Sequence, residues 1–208
     1  MEENSTPTVV VYVDPSCPFA WITSRWLAEV ERRRGIDLQL RLLSLSVVNE
    51  HRELDDWYRG FNDQAWGPAR VMAAVAAEYG TDAARHFYEA FGERFHVQLD
   101  TGDDVDRDAV AGQALADAGL DGHLAAAATD PRWDEQLRTL TRTALEPVGL
   151  DVGVPVTVID GVAASGPVLS QIPRGDAADT LFDAVRTLAG QGSFVRLERR
   201  RLGALQLA

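Results

Sequence analysis

β-strand character in this chain is confined to its two ends, and about a hundred residues of helical pattern separate them. Thr8–Val13 (TVVVYV) is a β-branched run closed by Asp14-Pro15, which reads as a buried parallel strand. From Pro18 to about Arg34, apolar or aromatic residues fall at Trp21, Ile22, Trp26, Leu27 and Val30. That spacing is helical, and Gly35 is a natural stop. Asp37–Leu43 alternates as a second strand. Strand, helix and strand in such quick succession predict one right-handed βαβ unit.

Between about Glu50 and Leu150 the pattern predicts helices over His51–Phe61, Ala65–Tyr79, Asp82–Phe95, Val105–Ala118, Gly122–Ala128 and Pro131–Val148. Strands return at Pro155–Ile159 and Val162–Ala164 around an Asp160-Gly161 turn, a hairpin signal. A last helix is expected over about Asp176–Leu188. The order βαβ, helical block, ββα predicts an α/β chain with a thioredoxin-like sheet and an all-helical insertion. The sheet domain would comprise 1–48 and 151–208, and the insertion 49–150.

Composition narrows the function classes. At 208 residues the chain is long enough for one full hydrophobic core. Its net charge of −12 makes nucleic acid a poor partner. All 20 basic residues are arginine, which excludes a Schiff-base lysine and a Walker A loop. No run approaches the ~18–20 apolar residues of a membrane span, so no membrane partner is expected. Acidic residues and the absence of an apolar run ahead of the first strand argue against a secretory leader. A lone cysteine cannot close an internal disulfide. Both features predict a cytoplasmic protein. The oligomeric state is not legible.

The candidate chemistry is Asp14-Pro15-Ser16-Cys17-Pro18-Phe19-Ala20-Trp21. Cys17 follows the first strand and should cap the first helix, with Pro18 in its first turn. Unpaired helix-start N–H groups and the helix dipole would face the sulfur. Such placements lower a thiol pKa from about 8.5 to roughly 3.5–7.5, so a thiolate is expected at neutral pH. The bland alternative is an inert buried cysteine. The second feature is Val154-Pro155, a proline opening the third strand. In a thioredoxin-like fold that proline would be a cis residue beside the sulfur, its neighbour's backbone facing a thiol ligand.

Cys17-Pro18-Phe19-Ala20, the mid-chain helical insertion and Val154-Pro155 resemble the DsbA-like branch of the thioredoxin superfamily. The resemblance is closer to its actinobacterial mycothiol-dependent nitroreductase group. Supporting stretches include Trp21-Ile22-Thr23-Ser24-Arg25-Trp26, Asn49-Glu50, Ala65-Trp66-Gly67-Pro68 and Gly166-Pro167-Val168-Leu169-Ser170. The resemblance implies a thiol-dependent oxidoreductase with Cys17 as nucleophile and Pro155 as the cis-proline. It places Pro18, Phe19, Trp21, Asn49, Tyr58, Val154 and Pro155 around the thiol and substrate. It implies no tightly bound cofactor and a low-molecular-weight thiol, mycothiol or glutathione, as co-substrate for a disulfide or small-molecule substrate. One position departs from the pattern: Ala20 stands where the family has a second cysteine. A naturally monothiol site and a substitution that traps a mixed disulfide both fit it. The monothiol case parallels the 2-hydroxychromene-2-carboxylate isomerases and kappa glutathione transferases. A thiol-assisted isomerase or transferase, or a binding protein on the same fold, is therefore the alternative.

Weaker signals have structural readings. Asp104-x-Asp106-x-Asp108 lacks the glycine and glutamate of a calcium loop and reads as acids at a helix start. His51, His86, His96 and His123 have no metal-ligand spacing, so no metal is expected. Trp57, Tyr58, Phe61 and Trp66 are core residues by spacing or a lid over Cys17. Arg199-Arg200-Arg201 reads as a solvated end.

Overall fold

The computed structural model describes residues 6–98, 105–201 and 203–208. Strand β1 (Thr8–Val13) lies inside a four-stranded sheet of order β2-β1-β3-β4. It pairs in parallel with β2 (Asp37–Leu42), from Thr8↔Asp37 to Val13↔Leu42. It pairs antiparallel with β3 (Val156–Ile159), which turns back into β4 (Val162–Ser165). Val9, Val11 and Val13 are fully buried, and Leu38, Leu40 and Leu42 nearly so, because alternate strand residues share one face.

Helix α1 (Pro18–Arg34) links β1 to β2 and ends at Gly35, whose φ of 66° suits a residue without Cβ. Trp26 donates its indole N–H to the Ala178 carbonyl at 3.0 Å. This docks α1 on α7 (Asp176–Ala189). Arg33 and Arg34 in the last turn of α1 pair with Asp176, Asp179 and Asp183 of α7. The fold is thus the α/β thioredoxin-like arrangement expected of the sequence, carrying helices between β2 and β3.

Those helices are α2 (Leu45–Asn49), α3 (Asp56–Tyr79), α4 (Thr81–Gly92), α5 (Arg107–Asp117) and α6 (Asp134–Leu145). Residues from β1, α1, α3, α4 and α5 belong to one buried cluster. Arg85 of α4 ties the insertion to the sheet, donating to Glu31 at 3.0 Å and to the Leu38 carbonyl at 3.1 Å.

Several boundaries differ from the sequence reading. One α3 replaces two predicted helices. The polar run at Asn62-Asp63-Gln64 masks its periodicity, yet Asn62 is buried and hydrogen-bonded to the Tyr58 carbonyl at 2.6 Å. Asp55 caps α3 through the Tyr58 N–H at 2.9 Å, so His51 lies outside it. Residues Leu45–Asn49, where the insertion was expected to begin, form α2. Residues Gly122–Thr129 and Pro131–Trp133 are 3₁₀ turns, and Glu93–Gln98 widens into a π-helical turn. Gly92, at the end of α4, packs against the Trp21 indole. An added Cβ there would come within 2.3 Å of the ring.

Gly92→Ala should therefore destabilise the protein by about 1–3 kcal/mol through overpacking. Gly60→Ala, in α3 with open space around it, should stabilise by about 0.5–1 kcal/mol. Urea unfolding of both variants checks the contrast. Equal effects would remove the Trp21 contact as the cause.

Candidate functional site

Cys17 is the N-cap of α1, with extended backbone (φ −86°, ψ 114°) and Pro18 following. Its amide donates to the Asp14 carbonyl at 3.1 Å, closing a turn between β1 and α1. The sulfur lies 4.0 Å from the Val154 carbonyl oxygen, and the Val154–Pro155 peptide bond is cis. Cys17, Ala20 and Trp21 are buried, and Phe19 and Val154 are half-buried. The first helix and the third strand thus bring Cys17, Pro18, Val154 and Pro155 to one place.

The electrostatics correct the expected thiolate. Burial pushes the Cys17 thiol up to about 12. The Ala20 and Phe19 N–H groups pull it down, as helix-start donors should, while the Asp14 charge pushes it up. The helix-start N–H groups act in the expected direction, and desolvation of Cys17, a residue only 4% exposed, outweighs them.

Asp14 organises the turn. Its side chain is fully buried, one oxygen accepting from the Ser16 N–H at 2.8 Å and the other from the Leu45 N–H at 2.7 Å. Burial raises its pKa to about 6 against the pull of those two N–H groups and of Arg107. Leu45 begins α2, and Asn49 ends it. The Asn49 amide donates to Asn62 at 3.0 Å and to the Tyr58 hydroxyl at 3.3 Å. Asn49 and Tyr58 therefore meet each other, and they connect to the Cys17 turn through α2 and Asp14 rather than by contact with the sulfur.

Sequence reasoning missed Asp14, His96 and Arg107. His96 has no metal-ligand spacing in the sequence. It is buried, stacks on Trp21 at 5.7 Å between ring centroids, and lies 2.9 Å from the Pro15 carbonyl through Nε2. Burial lowers its pKa to about 4, so it is neutral at pH 7 and donates Nε2–H to that carbonyl. Arg107 lies between Phe61 and Phe95, with its guanidinium carbon 4.3 and 5.1 Å from their ring centroids.

The aromatic run divides. Trp57, Tyr58 and Phe61 stack together, whereas Trp66 turns toward Arg70 and Arg138. His51 is a surface residue. Asp106 caps α5 through the Asp108 and Ala109 N–H groups. Asp104 lies outside the described residues. No group of three metal-ligating side chains occurs among the described residues.

A family model described as Rv2466c-like, mycothiol-dependent nitroreductase Rv2466c, matches residues 16–199. The chain belongs to this family. It is 31% identical over 198 residues to the uncharacterized protein Rv2286c of Mycobacterium tuberculosis, covering 92% of this chain and 81% of that one. Its fold is similar to a probable DsbA oxidoreductase from Streptomyces coelicolor, with a TM-score of 0.57, 18% identity and coverage of 93% and 94% of the two chains. A 2-hydroxychromene-2-carboxylate isomerase gives a TM-score of 0.56 at 14% identity, with coverage of 86% and 93%. Both structural likenesses bear on the fold. The family model includes Cys17 and Pro155, and Cys17 is the chain's one thiol. No helix among the described residues is long and apolar enough to cross a membrane.

Two measurements follow. Alkylation of Cys17 by iodoacetamide should be slow at pH 7 and still rising about tenfold per pH unit above pH 9, since the thiolate is the reactive form. A plateau below pH 7 would contradict the burial argument. Asp14→Ala should cost roughly 2–5 kcal/mol in denaturant unfolding, because two buried N–H groups lose their acceptor.

Proposed function

We propose that this Rv2466c-like protein is a thiol-dependent oxidoreductase in which Cys17 works with a low-molecular-weight thiol, mycothiol or a similar molecule. The observation that carries the reading is the placement of the lone thiol. It sits at the start of α1, beside the Val154 carbonyl, with Ala20 where a resolving cysteine would act.

The Cys17 thiolate attacks one sulfur of a small-molecule disulfide. A Cys17 mixed disulfide forms and one thiolate leaves. A second thiolate from solution attacks the mixed disulfide at the Cys17-bound small thiol, regenerating the Cys17 thiolate and releasing a disulfide. With a nitroaromatic as the terminal acceptor, two thiols become one disulfide. The two electrons and two protons convert the nitro group to nitroso plus water. Deprotonation is the step the buried site opposes. The N–H groups of Ala20 and Phe19 favour the anion, and admission of a polar ligand relieves the desolvation that opposes it. Pro18, Phe19, Trp21, Val154 and Pro155 would line the thiol, with Asn49 and Tyr58 on the substrate side. The lone thiol also favours a second reading, a thiol-assisted isomerase or transferase, which needs no resolving cysteine.

Intact mass after incubation with mycothiol disulfide tests the first reading. A single adduct, lost on Cys17→Ser, is expected. Turnover of an aromatic substrate with no adduct would select the second reading. In Ala20→Cys the adduct should become short-lived and an internal disulfide should appear. Persistence of the adduct in that variant would contradict a resolving role for the position occupied by Ala20.

A further inference from the structure

Trp21 follows Cys17 by one helical turn, its amide donating to the Cys17 carbonyl at 3.0 Å. His96, which stacks on the indole, also bonds the Pro15 carbonyl of the thiol turn, so the ring stands beside that turn. Most of its surroundings are fixed. Gly92 packs against it, and the Arg25 guanidinium carbon lies 5.2 Å from its centroid. These neighbours belong to α1, α4 and the π-helical turn. The side chain's polar atom, Nε1, instead donates to the Leu207 carbonyl at 2.9 Å.

Leu207 belongs to a different kind of segment. After α7 the backbone makes a turn in which the Phe194 N–H donates to the Gln191 carbonyl. Val195–Arg201 are then exposed, and no backbone hydrogen bond is described for them. Leu205 and Leu207 pack against the core while Gln206 and Ala208 stay exposed, the alternation of an extended segment laid on a surface. Two hydrogen bonds hold it, one from Trp21 and one from the Gln206 N–H to the Ser170 carbonyl at 2.9 Å. The loop leading to Ser170 is itself anchored to α1, where Thr23 donates to the Pro167 carbonyl at 2.8 Å. The tail is therefore a light attachment on a rigid frame. Segments with few buried contacts and exposed connections open locally far more readily than the core. Leu207 also walls a cavity of about 400 Å³ lined by Trp21, Arg25, Glu93, Val97 and Ile172.

We propose that Leu205–Ala208 form an autoinhibitory strap over the Trp21 side of the thiol site, which a ligand must displace to reach the indole. Docked, the strap occupies the indole donor and one wall of the adjoining cavity. Lifted, it frees that donor for an acceptor oxygen of the ligand. Cys17 and Trp21 are buried together, at 4% and 2% exposure, so uncovering the indole opens an approach to the sulfur. The inference deepens the thiol-oxidoreductase reading by adding a regulation of the same site, and rests on that reading for the identity of the ligand.

The test begins with hydrogen exchange in the full chain, followed by nuclear magnetic resonance. The Trp21 indole signal is assigned by its loss in Trp21→Phe. The reference is the Trp26 indole, which donates to the Ala178 carbonyl in the core. The Trp21 indole and the Gln206 amide should share one protection factor, at least tenfold below that of the Trp26 indole. Equal protection of the two indoles would overturn the strap, because both would then open only with the whole fold. The second measurement is the rate of Cys17 alkylation by iodoacetamide at pH 9. It compares the full chain with a variant lacking Leu205–Ala208 and with the milder Leu205→Ser/Leu207→Ser, each first shown to be folded by near-ultraviolet circular dichroism. Alkylation at least threefold faster in the variants is expected, returning toward the full-chain rate when the free peptide of residues 203–208 is added to the shortened chain. An unchanged rate in a folded variant would overturn the proposal. A variant that fails to fold leaves the exchange measurement to decide, since that needs only the full chain. Absence of a mycothiol adduct in both the full and the shortened chain would sink the oxidoreductase reading, while the exchange and alkylation results would still decide the strap.

Discussion

Asp14 ends the central strand with a buried carboxylate whose two oxygens hold the Ser16 and Leu45 amides. One amide belongs to the turn that delivers Cys17, and the other starts the short helix that delivers Asn49. Removing that carboxylate would release the helix-start thiol and the Asn49–Tyr58 pair from their common reference point. The arrangement carries an electrostatic cost, because the same charge that aligns the turn disfavours a second negative charge on Cys17.

The insertion supplies what the sheet alone lacks. His96 reaches back from the π-helical turn to the Pro15 carbonyl, and its ring covers Trp21 on α1. Gly92 leaves room for that indole. Cys17 itself is buried, with the Val154 carbonyl, far away in sequence, 4.0 Å from its sulfur. This separates the site from an exposed N-cap cysteine, whose acidity would follow the helix dipole alone.

The alternating valines of β1, the Pro18 start and Gly35 stop of α1, and the Asp160-Gly161 hairpin were legible because each depends on its immediate neighbours. Cys17 and Val154-Pro155 were legible because a turn chemistry and a family resemblance agreed on them. The acidity of Cys17 was misread, since desolvation depends on packing partners that no local window contains. His96 and Arg107 were invisible for the same reason: a buried imidazole and a ring-flanked guanidinium look in sequence like any surface polar residue. The unbroken course of α3 was hidden by Asn62, a polar residue facing inward to serve Tyr58.

The position of β1 inside the sheet also sets an order of events during synthesis. Val11 pairs with Leu40 on one side and Thr157 on the other. At about 5–20 residues per second, the ribosome delivers the second partner roughly 7–30 s after the first strand. In that interval β1 has one unpaired edge, and the backbone of Val154 that later faces the sulfur has yet to be made. Until then Cys17 lacks the Val154 carbonyl that lies 4.0 Å from its sulfur in the folded chain. It becomes the guarded group of the mature protein when the last quarter of the chain closes over it.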